Sequence, residues 1–125
     1  MPNIFSDNGA IGLKFDYGEA TKAALAAATE PAPVMLMTLS DQSHKVILHN
    51  DSDQEVQVLI ANPSSLDGVW QPLLRLAPSQ TLPIENYAGP MCLFPPRTKF
   101  AAYSLGSHTG QGNAEGKCRI YCWLA

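Results

Sequence analysis

Residues 34–125 alternate between short apolar runs and clusters of turn formers, and this rhythm constrains the chain more than any other feature. The runs are VMLMTL (34–39), KVILHN (45–50), EVQVLIAN (55–62), VWQPLLRLA (69–77), TLPIENY (81–87), MCLF (91–94), KFAAYSL (99–105) and KCRIYCWLA (117–125). Between them stand DQSHK, Asn50-Asp51-Ser52-Asp53, PSSLDG, APSQ, AGP, PPRT and the Gly-rich GSHTGQGNAEG. Turn signals about every 8–12 residues predict a mainly β chain, a small antiparallel β-sandwich or barrel. Pro72 restricts its run to a sheet edge or a break. Alternation nominates Val46, Leu48, Val56, Val58, Ile60, Ile120 and Leu124 for the core. Val46, Ile47 and Leu48 are all apolar, so either parity is open there. No period of 20–50 residues repeats, which argues against solenoids and propellers.

The first third has a different texture. Residues 1–17 carry Ile4, Phe5, Ile11, Leu13, Phe15 and Tyr17, interrupted by Asn8-Gly9 and Gly12. Two readings stand: an extended arm ordered by a partner, or an edge strand around Ile11–Phe15. Residues 18–30 (GEATKAALAAATE) have high helix propensity, and Pro31 and Pro33 end any helix. That helix is a spacer, a cap on the sandwich or a mobile linker. The chain thus divides into an arm with a short Ala-rich helix (1–33) and a β-sandwich body (34–125).

Only 15% of the residues are charged, below the usual quarter. Such a surface points to extensive protein contact or to merely polar solvation. The net charge is −3, which argues against a dedicated nucleic-acid binder. Residues 1–85 carry four basic and ten acidic groups, −6, and residues 86–125 carry four basic and one acidic, +3. A bipolar chain can dock on copies of itself or set its basic end on an acidic partner. No apolar run approaches the ~20 residues that span a bilayer. The first residues lack the basic and apolar regions of a secretory signal, which implies a chain made and kept in the cytoplasm.

The last run is the most informative for function. As a strand it puts Cys118, Ile120, Cys122 and Leu124 on one face and Arg119, Tyr121 and Trp123 on the other. The first set suits a core; the second has the composition of interface hot spots, with intramolecular packing as its alternative. Cys118 and Cys122 would be about 13 Å apart along a strand, too far for a disulfide or a shared zinc. With Cys92 they are read as reduced, metal-free thiols. His44, His49 and His108 show no metal-binding spacing, and no cofactor motif or nucleophile elbow occurs. Asp51, Asp53 and Glu55 read as the solvated tip of a hairpin. Trp70, Tyr87, Tyr103, Tyr121 and Trp123 could form a sugar-stacking platform, or serve the core and interfaces.

The chain resembles the small decoration (cement) proteins of tailed-bacteriophage capsids. The carriers are the apolar arm Met1–Tyr17, the hairpin VILHNDSDQEVQVLIA (46–61), LLRLAPSQTLPIENY (73–87), PPRTKFAAYSLG (95–106), the Gly-rich loop and the closing KCRIYCWLA. The Ala-rich stretch 18–30 and the three Cys depart from the family pattern. The resemblance implies a non-enzymatic virion protein without cofactor or metal. It would bind the major capsid protein on the outer shell as a homo-oligomer, usually a trimer, and stabilise the expanded lattice. Ile4, Phe5, Ile11, Leu13, Phe15, Arg119, Tyr121 and Trp123 are the candidate interface. The alternatives are a carbohydrate- or receptor-binding module of a phage tail or fibre, and a small enzyme using one Cys.

Overall fold

A computed structural model describes residues 15–61, 69–85, 94–107 and 116–124. They form eight strands and one helix: β1 (Phe15–Thr21), α1 (Lys22–Ala27), β2 (Val34–Thr38), β3 (Ser43–Asn50), β4 (Gln54–Ala61), β5 (Gln71–Leu76), β6 (Gln80–Glu85), β7 (Lys99–Ser107) and β8 (Lys117–Leu124). Two four-stranded sheets pack together, ordered β1-β8-β3-β6 and β2-β7-β4-β5. All pairings are antiparallel. This strand order is that of a jelly roll, two Greek keys wrapped into a sandwich.

The alternating residues build the core as expected. Val46, Leu48, Val56, Val58 and Ile120 are fully buried, and Ile60 packs against them from a partly buried position. Val46 and Leu48 face inward, which settles the parity of that run; the Leu124 side chain lies outside the described residues. Phe100, Leu76, Cys118 and Cys122 complete the centre, with the Phe94 ring edge-on to Phe100 at 5.6 Å. Pro72 lies on β5, an edge strand, beside a register shift opposite Val58 and Leu59.

The N-terminal third departs from expectation. Of the stretch 18–30, only Lys22–Ala27 is helical, and Gly18–Thr21 belongs to β1. Thr21 is the reason. Its backbone is extended, and its hydroxyl accepts the Ala24 N–H at 3.2 Å, so the helix begins after it. β1 meanwhile pairs with β8 at all seven positions, from Phe15↔Trp123 to Thr21↔Lys117. Ladder pairing outweighs the helix propensity of Glu19 and Ala20. Leu25 is fully buried in the core, so α1 caps the sandwich rather than spacing it from an arm. Residues 15–27 therefore belong to the body, and a boundary at residue 33 does not divide the structure. Residues 1–14 lie outside the description. The turn expected over 41–45 is also shorter, since β3 starts at Ser43.

Asp51, Asp53 and Glu55 are partly exposed at the β3–β4 corner, but the corner is anchored from within, because Asn50 and Ser52 are fully buried. The Asn50 amide donates to the carbonyls of Gln54 (2.7 Å), Leu76 (3.2 Å) and Ala77 (3.2 Å). Its side-chain oxygen accepts the Ser52 hydroxyl at 2.7 Å and the Ser52 N–H at 3.1 Å. Asp53 pairs with Lys22 of α1 at 3.1 Å. One side chain thus ties the β3–β4 corner to the β5–β6 turn.

Candidate interaction face

The outward side of the β1-β8-β3-β6 sheet gathers the sequence-predicted interface residues of β8. Strand register sets them in rows. Trp123 and Lys45 stand in one, at the register positions of Phe15 and Glu85; Tyr17, Tyr121, Ile47 and Pro83 form the next; Glu19, Arg119, His49 and Thr81 the third. The inward side of β8 is Cys118, Ile120 and Cys122, all fully buried, while Arg119, Tyr121 and Trp123 are half-buried. The alternation read from the sequence is therefore the alternation of the structure.

The middle row is aromatic. The rings of Tyr17 and Tyr121 lie 5.0 Å apart, tilted at 53°, a favourable offset geometry. Tyr17 is 44% exposed. In the row above, the Lys45 ammonium stands 5.7 Å from the centre of the Trp123 ring, within cation–π reach. The row below is ionic. The Tyr17 hydroxyl donates to Glu19 Oε1 at 2.5 Å, and Lys117 Nζ donates to Glu19 Oε2 at 2.8 Å. Arg119 lies 3.9 Å from both Glu19 and Asp51. The hydrogen bonds from Lys117 and Tyr17 hold the Glu19 carboxyl below its ordinary pKa. Partial burial, and then the Glu19 contact, hold the Tyr17 phenol above its own. His49 Nδ1 is 2.7 Å from Thr81 Oγ1.

These contacts modify the bipolar picture of the chain. Lys117 and Arg119, from the basic C-terminal part, pair with Glu19 and Asp51 from the acidic part. Much of the asymmetry is thus absorbed within one molecule.

Other candidates are dispersed or lie elsewhere. Ile4, Phe5, Ile11 and Leu13 fall outside the described residues, as do Tyr87, Cys92 and His108. Phe15 opens β1 at the register position of Trp123. The five-aromatic platform is not assembled: Tyr103 is on β7 in the second sheet and Trp70 precedes β5, whereas Tyr121 and Trp123 are on the first sheet. Cys118 and Cys122 are free and buried, and Cys122 Sγ lies 3.6 Å from Met37 Sδ. Burial pushes both thiols up to about 12, the opposite of an activated thiolate. Among the described residues, no group of three His, Cys, Asp or Glu is placed to hold a metal ion.

Sequence reasoning missed Tyr17 and Glu19 as members of this face. A signal was present. Over 15–21 the large or polar Phe15, Tyr17, Glu19 and Thr21 alternate with Asp16, Gly18 and Ala20, a strand pattern hidden by the Ala-rich run that follows.

Comparison of the chain with protein-family models, curated proteins and solved structures found no match.

Proposed function

We propose that this chain is a non-enzymatic structural protein that binds the outer surface of a phage capsid and stabilises the expanded shell. The observation that carries the reading is the outward face of the β1-β8-β3-β6 sheet. There Tyr17, Tyr121, Trp123 and Arg119 stand together on hydrogen-bonded strands. Rigid aromatics flanked by Arg make protein-binding hot spots because they supply contact area at small entropic cost. The resemblance to capsid decoration proteins names the partner. Viral capsid domains are among the proteins built as jelly rolls, although fold alone does not establish function. Binding only the expanded lattice would stabilise it by mass action.

The test is co-sedimentation of the purified protein with expanded and unexpanded shells of the phage that encodes it. Saturable binding to expanded shells is expected, weakened at least about tenfold by Trp123→Ala or Tyr121→Ala, equivalent to ~1.4 kcal/mol. Absence of binding to either shell would overturn the reading. The Tyr17–Tyr121 pair, with Tyr17 exposed, also favours a second reading, a carbohydrate- or receptor-binding module. Glycan binding lost in Tyr17→Ala, with no shell binding, would establish that alternative.

A further inference from the structure

Two four-stranded sheets leave β1, β6, β2 and β5 at their edges. Unpaired edges invite further pairing, and prolines or register irregularities blunt them. β5 carries Pro72 and a register shift, β6 carries Pro83, and β2 shifts register between Met35 and Met37. β1 carries neither device. It runs in unbroken register with β8, and among the described residues no second strand pairs with it.

We propose that β1 pairs antiparallel with β1 of a second copy, forming a two-fold dimer whose first sheets join edge to edge. The strand is self-complementary. Residues opposite one another in an antiparallel pair share a side of the sheet, so odd positions must face odd positions. The register that overlaps the whole of β1 is centred on Gly18. It sets Tyr17 opposite Glu19 of the partner subunit, Asp16 opposite Ala20, and Phe15 opposite Thr21. No acid then meets an acid. Sliding the register by two residues one way sets Glu19 against its own copy; sliding it the other way sets Tyr17 against Tyr17. Either slide shortens the ladder. Within the chain, the Tyr17 hydroxyl donates to Glu19, so the opposed pair sets a hydrogen-bond donor against a matching acceptor. A two-fold contact of this kind is closed and stops at two copies. It also merges two outward faces into one, with Tyr17 and Tyr121 of both copies near the centre. The pairing does not depend on the capsid reading.

The test is sedimentation of the full chain beside two charge variants. Tyr17→Asp would set an acid opposite Glu19 twice per dimer; Tyr17→Lys removes the same ring but supplies the opposite charge. Expected are a wild-type dimer, at least about tenfold weaker association for Tyr17→Asp, and retained dimer for Tyr17→Lys. Hydrogen exchange on the wild type gives a readout that needs no variant: protection of β1 amides should rise with protein concentration. A wild-type monomer, a trimer, a dimer indifferent to both charges, or concentration-independent β1 exchange would each overturn the proposal. A trimer would leave shell binding untouched as a separate question. A dimer that ignores expanded shells would sink the capsid reading alone.

Discussion

Asn50 has the chemistry of a turn residue and the position of a core residue. Its amide donates to carbonyls from two separate parts of the chain, Gln54 and the adjacent Leu76 and Ala77, and its oxygen holds Ser52. Asn50→Ala removes these bonds, although the Gln54 and Ala77 carbonyls keep the Ser52 hydroxyl and the Gln80 N–H. Each buried group left unsatisfied costs roughly 1–3 kcal/mol, so denaturant unfolding is expected to show a loss of about 1–3 kcal/mol, and a loss below about 0.5 kcal/mol would contradict the network. The sequence announces that Asn50-Asp51-Ser52-Asp53 is a corner. It does not announce that Leu76 and Ala77 lie across from it, because that contact exists only once two distant corners converge. Cys118 and Cys122 were legible as core thiols from strand parity alone. Their folded pKa values lie above the unfolded one, so the stability gained by keeping them protonated is complete below about pH 8.5. It drains as pH rises toward about 12. The expected slope approaches ~1.4 kcal/mol per pH unit for each thiol. Unfolding midpoints measured from about pH 8 to about pH 10 should fall steeply. Cys118→Ala and Cys122→Ala should each flatten that fall, although both start less stable at neutral pH.

The element that sequence reasoning placed least well is β1. Local propensity over 18–30 favours a helix, whereas β1 exists because β8 offers a ladder to pair with, and a ladder partner about a hundred residues away leaves no local trace. The visible clue is Gly18. A Cβ there would stand 2.1 Å from the backbone oxygen of Leu36, so the close approach of β1 to β2 requires glycine. Gly18→Ala must push the two sheets apart at this edge, costing on the order of 1–3 kcal/mol, measurable by thermal or denaturant unfolding. Unchanged stability would mean that β1 does not lie against β2. β8 was the opposite case, since strict alternation of core and amphipathic residues wrote both of its faces into the sequence. Because Trp123 is on the outward face, Trp123→Ala should cost less than about 2 kcal/mol of folding stability, against the ~3–5 kcal/mol typical of a core aromatic. A larger loss would make it part of the monomer's own packing.

At the scale of the whole molecule, a β-sandwich was legible because each run had one apolar face to bury. The jelly-roll order was not, because alternation says that a strand has a hidden side but never names its neighbours. The extent of the folding unit follows from the structure instead. All described elements lie within residues 15–124, and a chain lacking 1–14 is expected to unfold cooperatively as a sandwich. Removing residues 1–21 takes away β1 and should lower the midpoint sharply; equal midpoints would show that β1 adds nothing to the fold. The position of β8 between β1 and β3 has a further consequence, for synthesis. The ribosome delivers this chain in order, at ~5–20 residues per second. Of the eight described strands, the one that must occupy the interior of the first sheet is the last to emerge. Until residues 117–124 are released, β1 and β3 have no strand between them, and Val46 and Leu48 lack their β8 neighbours. The first sheet therefore closes only once residues 117–124 have left the ribosome. A chain that stops short of residue 117 has two unzipped edges in its first sheet.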